Sequence, residues 1–222
     1  MKENKLKILH ILSQRPDSTG SGYYIQAMLK ESEENEHDNF LLAGLHSKDI
    51  PGIEVIPKDK REFIHFNGHD ISYQIVGMSD VMSYESKKFC DLSDEEIQEY
   101  ESVFKAKLKK VISEYKPDII HSHHLWILTS LVKRNFPEIP IVASCHGSDI
   151  RQFRKCDHLR EKVLSGCKYL EGVMALSVSQ KKEIVELYGL SEDTIHVVGA
   201  GFNEELFTFS EKPNQDPVQI YH

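Results

Sequence analysis

The amino-acid sequence predicts an α/β protein built on a doubly wound, mostly parallel β-sheet with a β-hairpin insertion. Short apolar runs rich in Ile and Val alternate with amphipathic segments, as they do in right-handed βαβ units. The short runs are apolar almost throughout, which is typical of strands buried on both faces of a parallel sheet. Asn67-Gly68, between two alternating runs, is a hairpin signal.

Six strands are predicted along the chain, and the hairpin interrupts their alternation with helices. The strands are LKILHIL (6–12), FLLAGL (40–45), PDIIHSH (117–123), PIVASCH (140–146), GVMALS (172–177) and TIHVVG (194–199). The hairpin is predicted over residues 62–75, as an insertion at the edge of the sheet.

Two helices have clear sequence boundaries. A capping box, SDEE, opens a helix at Ser93 whose apolar residues recur every three or four positions. The other helix begins near Ser177 and ends at Gly189, a natural residue for the left-handed position after a helix. The first helix is acidic in its first half and basic in its second, which complements the helix dipole. Its Lys cluster also permits weak peripheral membrane contact.

Composition and charge exclude several classes of protein. The chain has 222 residues, of which 40% are hydrophobic and 28% charged, as in a globular protein. A net charge of −8 without a dense basic patch argues against a nucleic-acid partner. No stretch resembles a signal peptide or a membrane span, so we expect a cytoplasmic location. The four cysteines contain no C-x-x-C pair and are expected to be reduced, buried thiols.

The C-terminal end has the composition of a linker. EKPNQDP (211–217) is polar and contains two prolines, and VQIY after it resembles the start of a strand. We therefore expect residues 1–209 to form one domain, and residues 210–222 to form a linker and the first strand of a truncated second domain.

Candidate binding residues follow the ends of the predicted strands. In an open parallel sheet, ligands bind outside the carboxyl ends of the strands. After the first strand, Gly20, Ser21 and Gly22 can bring backbone amides to a phosphate or carboxylate, because glycine allows close approach. The stretch matches neither the G-x-G-x-x-G nor the P-loop pattern, so a structural turn is the alternative.

Histidines cluster after the third and fourth predicted strands. His121 and His123 share one face if both lie on a strand, whereas His124 points the other way and is interpreted as a core or cleft residue. His146 is the catalytic candidate, because a neutral imidazole at a strand end can donate a hydrogen bond or stabilise developing charge. Asp149 is interpreted either as a ligand-binding residue or as the N-cap of the next helix.

Four stretches of the chain together carry a family resemblance. They are LKILHILSQRPDSTGSGYYIQAMLKE, PDIIHSHHLW, VASCHGSD and ALSVSQKKEIVELYGLSEDTIHVVGAGFNEELF. They resemble the N-terminal half of family 4 retaining glycosyltransferases, which have the two-domain GT-B architecture. The last stretch is the most specific, since it is similar to the passage before the family's second domain. It departs from that passage at Ala200, where Asn is usual, and at Asn203, where Asp is common.

The resemblance implies a Rossmann-like domain that takes the acceptor and faces a C-terminal domain of the same protein that takes the nucleotide sugar. The reaction implied is retaining, hexosyl-type transfer to a glycan or glycoconjugate in polysaccharide biosynthesis, without a cofactor or a bound metal. His146 would be the catalytic histidine near the transferred sugar. The loop near the donor phosphates would be Gly20, Ser21 and Gly22, and the cleft would be lined by His123, Asp149, Ser177 and Gly201.

Two other classes of function remain open. One is a metal hydrolase or metal-binding protein with His121, His123 and His146 as ligands, joined by Cys145 or Asp149, although no standard zinc spacing is present. The other is a noncatalytic Rossmann-like module that binds a sugar or nucleotide. Because transfer requires both reactants to be held together, we expect this chain to fold but not to catalyse by itself.

Overall fold

The computed structural model describes residues 5–49 and 51–201. Its strands are β1 (Lys7–Leu12), β2 (Asp38–His46), β3 (Arg61–Phe66), β4 (Val76–Gly77), β5 (Lys87–Lys88), β6 (Ile119–His123), β7 (Ile141–Ser144), β8 (Gly172–Ala175) and β9 (Ile195–Val197). Seven of them form one sheet in the order β3-β2-β1-β6-β7-β8-β9, and every neighbouring pair is parallel. Strands β4 and β5 pair separately. The predicted doubly wound parallel sheet is therefore confirmed.

The helices connect these strands, and α2 and α6 have the boundaries that their local sequence signals predicted. They are α1 (Gly20–Glu34), α2 (Asp94–Tyr115), α3 (Ile127–Asn135), α4 (Ser148–Lys155), α5 (Arg160–Cys167) and α6 (Val178–Tyr188). The capping box at α2 is confirmed: the Ser93 hydroxyl accepts from the Glu96 amide, and the Glu96 carboxylate accepts from the Ser93 amide. Helix α6 ends at Gly189, whose φ of 66° is left-handed.

Each of the six predicted strands is present, but the predicted hairpin over residues 62–75 is wrong. Its first half is β3, which pairs in parallel with β2 from Arg61 to Phe66. Asn67 and Gly68 do form a left-handed turn, with φ values of 64° and 94°. A few backbone bonds close the turn, such as that from the Ile71 amide to the His65 carbonyl, but residues 67–75 form no strand, and Ile71 and Ile75 are buried in the main core.

The sheet separates two apolar layers. On one face, Ile25 and Leu29 of α1 pack with Leu12, Leu41 and Ala43. On the other face lies a larger core, which contains Leu9, Ile11 and Leu42 together with the apolar stripe of α2. Successive residues of a strand point to opposite faces, so β1 contributes to both layers and His10 lies on the α1 side.

A disulfide joins Cys90 to Cys156, with their Cα atoms 5.1 Å apart. The expectation of four reduced thiols is therefore wrong for this pair, whereas Cys145 and Cys167 are free and buried. The bridge connects the segment just before α2 to the residue that follows α4. The two cysteines are 66 positions apart, and no local pattern pairs them.

Residues 202–222 lie outside the described part of the chain. Asn203, the linker over 211–217 and the start of a second domain therefore stay predictions, as does the boundary at residue 209. Among the helices formed by residues 5–49 and 51–201, none is both long and apolar enough to cross a membrane.

Candidate functional site

Three segments converge at one edge of the sheet because β1, β6 and β7 are neighbours and run in parallel. The segments are the start of α1 at Gly20–Gly22, the turn after β6 at His124, and the segment 146–149, which runs from the loop after β7 into the first turn of α4. We call these residues the strand-end site. Its position is the one predicted from the sequence, outside the carboxyl ends of the strands.

Gly20, Ser21 and Gly22 form the first turn of α1 and do not form a separate loop before it. Thr19 is the N-cap, and its hydroxyl accepts from the Gly22 amide at 3.1 Å. The first backbone bond of the helix runs from the Tyr23 amide to the Thr19 carbonyl, so helix geometry leaves the Gly20 and Ser21 amides without an intrahelical acceptor. A Cβ atom on exposed Gly20 would meet nothing within 4 Å.

Gln14 connects this turn to the rest of the site, and the sequence did not single it out. Its side-chain nitrogen lies within hydrogen-bond distance of the Ser21 and Thr19 hydroxyls and 3.3 Å from His124 Nε2. Its side-chain oxygen accepts from the Met78 amide. An amide side chain just after a strand carries no distinctive sequence signal. Its role in joining the α1 turn to His124 is visible only from these contacts and from its burial, at 2% exposure.

Asp149 is the buried centre of the second part of the site. One carboxylate oxygen accepts from the Leu125 amide at 2.5 Å and the other from the His146 amide at 2.7 Å. His124 Nδ1 lies 3.3 Å from the carboxylate. Burial alone would raise the pKa of Asp149, but His124, His146 and the His146 amide together lower it, so the group is a carboxylate.

The interpretation of Asp149 as an N-cap is wrong, because α4 begins at Ser148 and the cap position is held by Gly147, whose φ of 81° suits glycine. Its role in ligand binding stays a prediction, and the side chain is 0% exposed in this domain. Asp149 positions the backbone of His146.

His146 is half-buried as a residue, and its Nε2 is a buried atom. Its Nε2 has no hydrogen-bond partner among the described residues. The ring of Tyr24 in α1 packs edge-on against it, with centroids 4.9 Å apart. Burial, reinforced by His124 and opposed by Asp149, lowers the pKa of His146 to about 4. The imidazole is therefore neutral at pH 7, and Nε2 can donate or accept a hydrogen bond according to its tautomer.

The remaining predicted cleft residues are His123, Ser177 and Gly201. His123 lies beside His146, with ring centroids 6.3 Å apart, but it is only 1% exposed and also faces His10. Ser177 is exposed, but its hydroxyl caps α6 by accepting from the Gln180 amide at 3.1 Å. Gly201 is exposed and is the last described residue. The structure brings together His123, His146, Asp149 and the start of α1, whereas Ser177 serves as the N-cap of α6.

Comparison with known proteins gives one family and a set of similar folds. A family model described as Glycosyltransferase Family 4 matches residues 94–206. No curated protein matches the chain in sequence.

Solved structures with a similar fold cover nearly all of this chain. The N-terminal domain of trehalose-6-phosphate phosphatase from Candida albicans aligns with a TM-score of 0.60 at 17% identity, over 92% of this chain and 50% of that one. Sucrose-phosphate synthase from Thermosynechococcus elongatus aligns with a TM-score of 0.61 at 12% identity, over 91% of this chain and 50% of that one. UDP-GlcNAc 2-epimerase from Neisseria meningitidis aligns with a TM-score of 0.53 at 13% identity, over 87% of this chain and 46% of that one. The likeness shows a shared fold, and this chain spans about half the length of these structures.

Proposed function

The chain belongs to Glycosyltransferase Family 4, and from that membership we propose that it is the acceptor-side domain of a retaining glycosyltransferase. The proposed reaction moves a sugar, of hexosyl type, from a nucleotide-sugar donor to a glycan or glycoconjugate acceptor. A second domain, entered through residues 210–222, would hold the donor. The observation that carries the proposal is the neutral His146 with its unpartnered Nε2, which packs against α1 at the carboxyl edge of the sheet.

The start of α1 would stabilise the departing diphosphate. As the bond from the sugar to the nucleotide breaks, negative charge grows on the leaving phosphate. Amides at a helix N-terminus point toward such charge, and the helix dipole adds to the attraction. Gly20 and Ser21 supply those amides, and the open space beside Gly20 leaves room for a phosphate oxygen. This arrangement needs no metal ion in the transfer step.

His146 would act on the sugar or on the bond that breaks. In its neutral form, Nε2 can donate a hydrogen bond where charge develops without carrying a full charge into the site. Asp149 holds the His146 backbone through the amide, and Tyr24 limits the movement of the ring. These contacts reduce the reorganisation needed when the substrate arrives.

The test measures sugar transfer by the full-length protein. A panel of donors and acceptors is used, and the released nucleoside diphosphate is quantified. We expect His146→Ala to lower kcat/KM at least about tenfold, a loss of roughly 1.4 kcal/mol in transition-state stabilisation, with an unchanged melting temperature. The matched control is His158→Ala, an exposed histidine after α4, which should keep full activity. Wild-type turnover by His146→Ala would contradict this role and favour a noncatalytic binding module.

The isolated 222-residue chain should fold cooperatively but transfer no sugar. One wall of a cleft does not hold both reactants or neutralise the diphosphate, so the second domain is needed for the reaction. The same panel of donors and acceptors, incubated with this chain alone, is the measurement. Robust nucleotide release would overturn the two-domain proposal.

The cellular location and membrane contact are also part of the proposal. In α2, Lys107 and Lys110 lie 3.3 and 3.5 Å from the Glu62 carboxylate, so any contact with an anionic membrane would be weak. A cytoplasmic location has to be reconciled with the disulfide, because such bonds are rare in a reducing compartment. Thiol trapping in intact cells, followed by mass spectrometry of Cys90 and Cys156, tests the location directly.

A further inference from the structure

A layer of buried imidazoles lies on the α1 face of the central sheet, next to the strand-end site. His10 of β1 is the register partner of His121 of β6, and His123 follows two residues later. Register partners in a parallel pair point to the same face, so all three rings lie on the side that α1 covers. Their exposed fractions are 1%, 4% and 1% for His10, His121 and His123. The family resemblance gives a role only to His123, as a residue that lines the cleft, and none to His10 or His121.

The ring nitrogens are close enough to share one ion. One nitrogen from each histidine lies within 4.8 Å of the other two. The separation of His10 Nδ1 and His123 Nε2 is 3.3 Å. Two ligands at about 2.0–2.1 Å from a tetrahedral zinc ion are about 3.3–3.4 Å apart. The distance that serves as a long hydrogen bond between two rings therefore also suits two ligands of one metal.

The tautomer of His10 is set by contacts on the far side of its ring. His10 Nε2 lies 3.2 Å from Asn39 Oδ1, which can only accept, so Nε2 carries the proton and Nδ1 turns its lone pair toward the other histidines. The Asn39 amide is itself oriented, because Ser32 donates to its oxygen and its nitrogen donates to the His37 carbonyl. A histidine whose second nitrogen donates to a fixed oxygen is the usual arrangement of a metal ligand.

The protonation state also suits ligation. Burial lowers the pKa of His10 to about 4 and holds the pKa values of His121 and His123 well below the usual range. All three rings are therefore neutral at pH 7, which is the form that binds metals. His123 Nδ1, the ring nitrogen that does not face His10, is buried without a partner in the described part of the chain.

We propose that His10, His121 and His123 form a binding site for a divalent d-block cation of the zinc class. Three imidazoles are a ligand set that zinc uses with a fourth position left to water or another oxygen. The set differs from the one considered from the sequence: His10 replaces His146, whose ring centroid is 6.3 Å from that of His123. The ion would link β1 to β6 directly beneath the strand-end site. This proposal does not depend on sugar transfer.

The ring of Tyr24 indicates how an ion would reach the cluster. It packs edge-on against His123 at 5.9 Å and against His146 at 4.9 Å between centroids. Tyr24 is therefore in contact with both the fully buried His123 and the half-buried His146. Movement of this one side chain would open a route from the strand-end site, so Tyr24→Ala should speed metal uptake without changing the final stoichiometry.

The direct experiment uses the tag-free 222-residue chain, stripped with chelator and titrated with Zn²⁺. We expect about one zinc per chain after gel filtration, a raised melting temperature, and visible d–d absorption when Co²⁺ replaces Zn²⁺. His121→Gln should weaken zinc binding at least about tenfold. The matched control is His69→Gln, which removes an exposed histidine that packs against His65 and should leave the affinity unchanged.

Two outcomes would overturn the proposal. In the first, the folded wild-type chain retains less than about a tenth of an equivalent of zinc and shows no Co²⁺ spectrum. The three histidines would then be a hydrogen-bonded part of the core. The other is loss of binding in His69→Gln with retention in His121→Gln, which would place the ion at the surface. If His121→Gln does not fold, X-ray absorption of the Zn²⁺-loaded wild type decides, since three imidazole nitrogens at about 2.0 Å are expected.

Discussion

The two halves of the strand-end site differ in how they are held. The first turn of α1 has an exposed Gly20 with open space around it and is fixed by two neutral hydrogen bonds: the Gly22 amide donates to the Thr19 hydroxyl, and the Gln14 side chain donates to the Ser21 hydroxyl. The other half is arranged around the carboxylate of Asp149, which is fully buried and has several partners. The contrast suggests a division of roles: exposed backbone at α1 is available to a ligand, whereas the buried charge maintains the shape of the site. Four tests follow, on Asp149, on the disulfide, on the pH and on the two glycines of the α1 turn.

The largest effect is expected at Asp149. Asp149→Ala removes the acceptor of the Leu125 and His146 amides and the partner of His124, so buried donors lose their partner. We expect the free energy of unfolding to fall by about 3–5 kcal/mol. Urea denaturation measures it. Asp157→Ala, which removes an exposed carboxylate paired with Arg160, is the control and should change stability by less than about 0.5 kcal/mol. A loss at Asp149 as small as the control's would contradict the proposed structural role.

The second largest effect on stability is expected from the disulfide. It joins the end of α4, the helix that carries Asp149, to the segment before α2. Reduction should lower the free energy of unfolding by about 2–4 kcal/mol, a typical value for a crosslink that closes a long loop. Unfolding with and without dithiothreitol measures the effect. The Cys90→Ser, Cys156→Ser double variant should be insensitive to reductant, whereas Cys145→Ser should respond as the wild type does. Four free thiols in the unreduced folded protein would argue against the bridge.

Acid should act on the histidines and spare the α1 turn, where Thr19, Ser21 and Gln14 do not titrate. His10 and His146 have pKa values of about 4 in the fold, against 6.5 for an ordinary histidine. Between these values the unfolded chain binds more protons, so their stabilisation is complete above about pH 6.5 and declines as the pH falls toward 4.

Between pH 7 and pH 5, the expected loss is on the order of 2 kcal/mol for each of these histidines. Urea unfolding at pH 7, 6 and 5 measures the slope. His146→Gln should reduce the slope, and His69→Gln, at an exposed position, should not. Stability that does not change across this range would show that the buried rings do not govern acid sensitivity.

The smallest effects separate two glycines within the α1 turn. A Cβ at Gly22 would lie 2.9 Å from the Pro16 carbonyl carbon and 3.1 Å from the Arg15 oxygen, so the backbone must shift. Gly22→Ala should therefore cost about 1–2 kcal/mol of stability. Gly20→Ala meets nothing within 4 Å and should change stability by less than about 0.5 kcal/mol. Thermal unfolding of the pair measures the difference, and equal losses would mean that space around Cβ does not distinguish them.

If Gly20 lies beside the leaving phosphate, Gly20→Ala should still lower transfer by the full-length protein. The effect of Gly20→Ala would then be a lower kcat/KM with unchanged stability, whereas Asp149→Ala is expected to lower stability. Full activity in both glycine variants would reduce the first turn of α1 to an ordinary helix start.

Much of the fold could be predicted from the sequence because it depends on local rules. Apolar runs predicted the strands, the SDEE box predicted the start of α2, and Gly189 predicted the end of α6. The position of the strand-end site was also predictable, since the ends of neighbouring parallel strands share an edge. The Asn67-Gly68 turn was recognised correctly as well, but a turn does not determine whether the chain after it pairs or is buried.

What the sequence by itself determined is therefore the set of elements, their order and the edge at which polar residues gather. Only the tertiary structure decided which of those residues are buried and what they contact. Asp149 meets the Leu125 amide across 24 positions, Cys90 meets Cys156 across 66, and His10 meets His123 across 113. Periodicity and capping act over a few residues, whereas the pKa of a histidine or the partner of a carboxylate depends on which distant segments pack against it.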